Sequence, residues 1–348
     1  MTQSPASADT LVLTSPDALV SGLPYLLGFP PVESAVLLWL HAGRILLTQR
    51  IDLPSDDDEI APWLAAMWSH VAAREADELV IVMVTPRADA LGLTDQVRAI
   101  ADDRGLRIRD ALVVDGSRWR SLLCCDPDCC DPVGREIDPQ TSDRVAAEFA
   151  GAGVSPLPER GALVRELCED PELAALAAVV LAPTPPRGRA RERWRDEVID
   201  EFVVRLTVER SDLDVEDAAL FISGLDDVRI RDTVLWELSR ADHASRFRAL
   251  DLLTTCVRWA PAGRVAPVAT CTAIAAWLVG DGARAQIALE RAIAERPDYS
   301  LAVLVQHSVR VGLPPSAWGQ AMVGLSRQEC RHGRRASPSR QRAASSAR

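Results

Sequence analysis

The first 125 residues alternate between strand-like apolar runs and stretches in which apolar residues recur every three or four positions. Residues 34–40 and 44–53 are two such runs joined by His41-Ala42-Gly43, and a short connection of this kind predicts a β-hairpin. Residues 79–84 are apolar throughout, which is typical of a central strand covered on both faces. Further strands are predicted at 11–13, 106–114 and 118–123, and helices at 16–27, 59–76 and 94–104. The pattern therefore predicts an α/β N-terminal domain, residues 11–155, with a mixed five- to six-stranded sheet.

From residue 160 onward the pattern is that of helices alone, and it predicts an all-α domain over residues 160–326. Within this domain, residues 268–297 resemble a single tetratricopeptide-like helical hairpin. Small side chains at the contact positions let two antiparallel helices approach closely, and a proline stops the second helix. The residues that carry this pattern are Ala276, Ala285, Leu289, Ala292 and Pro297. Two interpretations stay open, a plain structural hairpin and a groove for a partner peptide.

The charge of the chain is unevenly distributed. The formal net charge is −11, but residues 327–348 hold seven Arg and one Glu, so the rest of the chain carries −17. An acidic body repels nucleic acid and favours solubility. The terminal segment is rich in Arg, Ser and Ala without apolar periodicity, which predicts a disordered basic tail over 327–348. Nucleic acid or a membrane surface is expected to contact the chain, if at all, only through this tail. Residues 1–10 are predicted to be a disordered start.

Missing residue types and motifs exclude several functions. The longest apolar run has ten residues, 173–182, whereas a membrane-spanning helix needs about 20. The start of the chain has no basic region followed by an apolar core, so we expect a cytoplasmic protein rather than a secreted one. All 39 basic residues are Arg, and the chain contains no Asn. Without Lys there is no Schiff base, no P-loop lysine and no Ser-Lys dyad.

Four of the eight Cys residues fall within the string LLCCDPDCCDP. They are Cys124, Cys125, Cys129 and Cys130. One interpretation is a zinc site, because thiolates favour zinc, although adjacent side chains point apart and a tetrahedral site needs four ligands. The others are a redox-active or disulfide-forming loop, and a loop of reduced, packed thiols. Cys256 and Cys271 lie within helical patterns and are predicted to be small core residues.

Polar residues next to the predicted strands form the candidate ligand site. These residues are Glu33, Arg50, Asp52 and Arg118. Open sheets often bind ligands beyond the ends of their strands, so these side chains are candidates for a site between the sheet and the helical domain. The alternative is that Arg50, Asp52 and Arg118 form ion pairs at a domain seam without a binding role.

Four segments of the sequence, taken together, resemble a known family. They are PYLLGFPPVES (24–34), RIDLP (50–54), RWRSLLC (118–124) and GDGARAQIALERAIAERPDYSLA (280–302). The chain resembles the actinobacterial domain-of-unknown-function family DUF4192 over residues 11–315, with these strings in the family's order. The family's cysteine motif is matched by Cys124, Cys129 and Cys130, which are the candidate metal ligands, while Cys125 is an addition and Asp131 stands in place of a Pro. The resemblance implies an actinobacterial cytoplasmic protein and supplies no activity.

Three functions remain open. The first is a non-catalytic protein-interaction or scaffold protein whose helical domain offers a groove to a partner. The second is a small-ligand binder or enzyme that uses the candidate site around Arg50 and Arg118. The third is a metal or redox module in the cysteine loop, with zinc as its possible metal. Whether the chain is an enzyme, and any cofactor besides zinc, stay undetermined by the sequence.

Overall fold

The computed structural model describes residues 12–70, 75–124, 131, 133–181, 186–208 and 213–333. The chain divides into two compact units, Met1–Leu163 with Arg310–Leu313, and Val164–Val309 with Pro314–Arg348. The first unit contains a six-stranded mixed sheet, and the described part of the second is helical. The predicted sheet and the predicted helical second half are therefore confirmed. The predicted start at 1–10 lies outside the described residues.

The first unit, here the α/β unit, places helices on both faces of its sheet. Its elements are α1 (Pro16–Leu27), β1 (Ser34–His41), β2 (Arg44–Asp52), a short 3-10 helix (Asp57–Glu59), α2 (Ile60–Trp68), β3 (Glu78–Val84), α3 (Ala90–Asp103), β4 (Arg107–Asp115), β5 (Arg118–Ser121), β6 (Arg135–Glu136) and α4 (Pro139–Gly151). The strand order is β2-β1-β3-β4-β5-β6, and β3 and β4 form the one parallel pair, joined through α3. The strand predicted at 11–13 is absent from the described residues 12 and 13, and the helix predicted over 59–76 ends at Trp68.

Alternating side chains of the central strands fill two cores. Leu37 and Trp39 of β1 face a cluster that includes Met67 of α2 and Val97 of α3. Their neighbours along the strand, such as Leu38, face the opposite cluster with Leu23 of α1. Successive side chains of a strand point to opposite faces, so a strand buried on both faces is apolar at every position. The continuous apolar runs in the sequence have this cause.

The β1–β2 hairpin turns through a pair of left-handed residues. Ala42 has a φ of 50° and Gly43 a φ of 75°. Two consecutive positive φ values give the turn type whose twist matches that of paired strands. The hairpin predicted at His41-Ala42-Gly43 is confirmed, and its register places Ser34 opposite Asp52.

The second unit, here the helical unit, is built around one wholly buried helix. Its elements begin in α5 (Arg160–Glu166) and continue with α6 (Pro171–Val180), α7 (Arg189–Thr207), α8 (Val215–Leu225), α9 (Val228–Arg240), α10 (His243–Trp259), α11 (Val265–Leu278), α12 (Gly282–Glu295), α13 (Ser300–Arg310), α14 (Ser316–Met322) and α15 (Arg327–His332). Every residue of α11 is buried, and α8, α9, α10 and α12 pack around it. A helix that is apolar on all sides is the expected centre of a bundle.

Helices α11 and α12 form the hairpin in the predicted segment. Ala276 of α11 and Ala285, Leu289 and Ala292 of α12 are all fully buried, so the small residues lie at the helix contact. A tetratricopeptide-like character is not shown by this packing alone, because any close helical pair uses small residues in the same way.

The C-terminal end of the helical unit is more ordered than its composition indicates. The predicted disordered tail, 327–348, starts too early, because Arg327–His332 form α15 and Cys330 is buried. Ser326 and Glu329 form a capping box that satisfies the first backbone N–H groups of this helix. Residues 334–348 lie outside the described residues. None of the described helices has both the length and the apolar content that crossing a bilayer requires.

Candidate functional site

Thr85 and Glu33 contact each other at the carboxyl end of β3. The parallel strands β3 and β4 both end at this edge of the sheet. Thr85 follows β3 directly, is 2% exposed, and its hydroxyl donates to the Glu33 carboxylate at 3.0 and 3.1 Å. The same hydroxyl accepts from the backbone N–H of Arg87 at 3.1 Å. Carboxyl ends of parallel strands are the usual ligand-binding edge of a sheet. An exposed carboxylate is therefore held in place at that edge.

Arg87 closes the loop that follows β3. Its guanidinium donates to the carbonyl of Pro54 at 2.7 Å and pairs with Asp89. The hydrogen bond from Arg87 holds the pKa of Asp89 below its ordinary value, and the same bond raises the pKa of Arg87. Both groups therefore stay charged at neutral pH.

Arg50 ties the segment before β1 to the end of β2. Its guanidinium donates to the carbonyl of Val32 at 3.3 Å, pairs with Asp52, and lies 5.7 Å from the centre of the Phe29 ring. The Nε atom of Arg50 is buried and has no acceptor among the described residues. The structure therefore brings Glu33, Arg50 and Asp52 to one end of the sheet, and Arg50 and Asp52 form an ion pair.

Arg118 is engaged elsewhere. Its guanidinium donates to the carbonyl of Gly134 and pairs with Glu136 of β6 at 3.4 Å. In the sheet order β3 and β4 separate β5 from β1, which is about 14 Å at ordinary strand spacing. The expectation that Arg118 joins the other three residues in one site is not supported by these contacts within the α/β unit.

Glu33 is held in a strained conformation, and this predicts the order of two variants. Its φ is 43°, in the left-handed region, which costs a residue with a Cβ about 1–2 kcal/mol and costs Gly almost nothing. Both Glu33→Ala and Glu33→Gly remove the carboxylate, but only Gly relieves the strain. We expect the Gly variant to be more stable than the Ala variant by about 1 kcal/mol in urea unfolding. Equal stabilities would mean that the segment before β1 is not strained in solution.

The cysteine loop lies mostly outside the described residues. Cys124 is half-buried, and its backbone N–H donates to the Ser121 hydroxyl at 3.3 Å. Cys125, Cys129 and Cys130 are not described, so the zinc and redox predictions stay predictions. Within the described ranges, no group of three or more His, Cys, Asp or Glu is placed to hold a metal ion. Cys256 and Cys271 are fully buried as predicted, and burial raises the pKa of each thiol to about 12.

A hollow on the helical unit is the second candidate site, and sequence reasoning missed it. The hollow has a volume of about 290 Å³ and is open on one side. Helices α9, α13, α14 and α15 supply its walls, together with the segment before α15. The lining residues are Arg229, Asp232, Leu235, Leu301, Trp318, Met322, Leu325, Glu329 and Cys330. More of the lining surface is apolar than polar.

Polar contacts fix the shape of the hollow. The indole N–H of Trp236 donates to the carbonyl of Leu325 at 3.0 Å, and Arg327 pairs with Glu237. These bonds tie the start of α15 to α9. Trp318 stacks edge-on against Trp277, with 6.4 Å between ring centres, and its own Nε1 has no acceptor among the described residues. These contacts therefore hold α14 and α15 in place, while the apolar side chains that line the hollow stay accessible.

Three of the four ionisable groups in the lining are already compensated or neutral. Asp232 accepts two hydrogen bonds from Arg231, at 2.7 and 3.0 Å, and Glu329 accepts from the backbone and hydroxyl of Ser326. Burial, together with the nearby carboxylates, raises the pKa of Cys330 and keeps it a thiol.

Arg229 is the exception among the lining residues. Its guanidinium lies next to Gly333, where a Cβ would overlap it, and has no acceptor among the described residues. The lining therefore combines apolar side chains with one guanidinium that has no acceptor among the described residues.

The helices that line this hollow can be recognised from local patterns in the sequence, although the hollow itself cannot. Trp318 and Met322 are one helical turn apart, and Arg229, Asp232 and Leu235 follow each other at three-residue spacing on α9. The Ser326-x-x-Glu329 pattern marks a helix start. Which of these faces meet is a tertiary property that spacing does not reveal.

A comparison with protein families matches residues 16–316 to the family described as "Domain of unknown function (DUF4192)". Neither the search of curated proteins nor the search of solved structures returns a match to this chain. The family match covers both the sheet-end residues Glu33, Arg50 and Asp52 and most of the helical unit. The chain is therefore a member of the DUF4192 family.

Proposed function

We propose that this chain is a protein-interaction protein without catalytic activity of its own, and that its helical unit binds a partner by taking one large apolar side chain into the hollow. The observation that carries the proposal is the open apolar lining formed by Leu235, Leu301, Trp318, Met322 and Leu325. Apolar side chains that fill small, well-formed pockets are the usual energetic centres of protein interfaces.

The size of the hollow supports a side chain as the occupant rather than a cofactor. Its volume of about 290 Å³ is just below the range of about 300–1,000 Å³ for small-molecule pockets. Two of its lining residues, Trp318 and Met322, belong to types that are enriched in interfaces. Met in particular adapts its shape to different apolar partners and makes favourable contacts with aromatic rings.

Binding can be followed directly at Met322. The chain has four Met residues, so ¹³C labelling of the methionine methyl groups of the full-length protein gives few, assignable signals. Met67 and Met83 are fully buried in the α/β unit and serve as internal references. A random peptide library displayed on phage supplies the probes, and enriched peptides are then synthesised. We expect these peptides to shift the Met322 methyl signal and to leave the two reference signals in place.

Leu301→Arg should abolish this binding, whereas Leu304→Arg should leave it intact. Both residues lie on α13, but Leu301 lines the hollow and Leu304 is 61% exposed outside it. We expect Leu301→Arg to weaken the selected peptides by about tenfold or more, the loss typical of a blocked central pocket. Leu325→Arg blocks the hollow from another wall and should act in the same way. Peptides that bind all three variants equally, or a selection that enriches none, would refute the proposal.

A small-ligand binder at the sheet edge is the second candidate function. It is favoured by Glu33, whose carboxylate is held by Thr85 at the carboxyl end of β3 while its backbone is strained. Strained residues cluster at functional sites because the strain is retained for a purpose other than stability. A small acid or amine that protects the wild type against thermal unfolding, but not Glu33→Gln, would favour this function over the first.

A further inference from the structure

We propose that the partner segment carries a carboxylate beside its apolar side chain, and that Arg229 recognises it. This inference rests on the proposed function and names the partner's chemistry. The occupant is a segment of another protein that offers an aromatic or aliphatic side chain together with an adjacent acidic group, either a side chain or the end of the chain.

Arg229 is the lining group whose charge is left for a partner. The other basic groups near the hollow have acceptors, since Arg231 pairs with Asp232 and Arg327 with Glu237. The guanidinium of Arg229 is half-buried, lies next to Gly333 and has no acceptor among the described residues. A guanidinium at the edge of an apolar hollow forms stronger, geometrically defined bonds with a carboxylate than it does with water alone.

The two carboxylates of the lining do not cancel this preference. Oδ1 of Asp232 accepts both hydrogen bonds from Arg231, and Oε2 of Glu329 accepts from the N–H and the hydroxyl of Ser326 at 2.9 Å. The charge of Asp232 is therefore offset by the guanidinium of Arg231, and that of Glu329 by the donors of the capping box of α15. An incoming cation would meet carboxylates that are already partly compensated, whereas an incoming carboxylate would meet a guanidinium without an acceptor among the described residues.

Three small probes built on phenylalanine distinguish which charge the hollow prefers. N-acetylphenylalanine carries a carboxylate, N-acetylphenylalaninamide is neutral, and phenylalaninamide, which lacks the acetyl group, carries a cation at about pH 6; the aromatic ring is the same in all three. Each is titrated into the full-length protein, and the shift of the Met322 methyl signal reports entry into the hollow, with Met67 and Met83 as references. We expect the acid to bind about fivefold more tightly than the neutral amide, and the cation most weakly.

Variants assign the preference to Arg229. Arg229→Gln should reduce the ratio of acid to amide affinity to about one, and Arg229→Lys should keep part of it, because Lys retains the charge but not the planar fork. Arg193→Gln is the control, since Arg193 is an exposed residue of α7 outside the lining. Raising the salt concentration should also lower the ratio in the wild type.

The possible failures are distinguishable. Equal shifts by the acid and the amide would overturn the role of Arg229 while leaving the hollow as a binding site. A preference for the cation would overturn it in favour of Asp232 and Glu329. If no probe shifts the Met322 signal at any concentration up to the solubility limit of that probe, the inference fails. The peptides selected on phage then decide separately whether the proposed function stands.

Discussion

Asp227→Asn is expected to destabilise the helical unit by about 3–5 kcal/mol, the loss typical of removing one partner from a buried ion pair. The side chain of Asp227 is 1% exposed and accepts from Arg191 and Arg195 of α7, with distances of 2.7–3.1 Å. It also accepts from the backbone N–H of Arg229 at the start of α9. The neutral amide leaves the guanidinium groups of Arg191 and Arg195 close together, with the half-exposed Glu192 as their remaining counter-charge. Urea unfolding measured by circular dichroism gives the difference in free energy.

Glu192→Gln is the matched control for this effect. Glu192 pairs with the same Arg195 at 2.9 Å, but it is half exposed, so its removal should cost less than about 1 kcal/mol. Comparable losses from the two variants would contradict a special role for the buried carboxylate.

At acid pH the free energy of unfolding should lose the contribution that the Asp227 carboxylate makes. Burial raises the pKa of this carboxyl, but the hydrogen bonds from Arg195 and Arg191 outweigh it and lower the pKa below its ordinary value. A group with a depressed folded-state pKa contributes its full stability above its unfolded pKa, about 3.9, and loses it as the pH falls through the folded-state pKa. The difference between wild type and Asp227→Asn should therefore be constant at neutral pH and shrink below about pH 4.

Strands of the sheet were predictable where both faces are buried. Residues 35–40 of β1 and 79–84 of β3 are apolar at every position because helices cover both faces of the sheet, so these strands can be recognised without an alternating pattern. β6 was missed because Arg135–Glu136 is too short to carry any pattern, and its place is set by pairing with β5. α4 was also missed, although Asp138 accepts from the first N–H groups of this helix and Pro139 begins it, both recognisable start signals.

For the candidate sites, too, contacts within one hairpin could be predicted from the sequence, whereas contacts between distant elements could not. The adjacency of Glu33, Arg50 and Asp52 follows from the hairpin, because its register places Ser34 opposite Asp52. The position of Arg118 depends on strand order, which the spacing along the chain does not fix. The hollow depends on contacts between α9 and the last helices. Its final wall, α15, was obscured because the Arg content around it resembles a disordered segment.

Glu295→Ala is expected to destabilise the helical unit by about 2–4 kcal/mol, because this one carboxylate accepts the hydrogen bonds of backbone N–H groups at the start of α11, the most buried helix. Glu295 is the last residue of α12, and it accepts from the backbone N–H groups of Gly263, Val265 and Ala266 at 2.6–3.1 Å. No capping side chain is supplied by Arg264 at the N-cap position of α11. Hydrogen exchange at these three amides should accelerate together, since they lose their only charged acceptor.

Two further variants separate the hydrogen bonds of Glu295 from its charge. Glu295→Gln keeps one acceptor oxygen without the negative charge that favours a helix N-terminus, so its loss should lie between those of wild type and Glu295→Ala. Glu290→Ala removes an exposed Glu from the same helix, and because contacts of exposed carboxylates, such as its hydrogen bond from Gln286, contribute little, a loss below about 1 kcal/mol is expected. If Glu295→Ala proved no more harmful than Glu290→Ala, the carboxylate of Glu295 would not be what stabilises the start of α11.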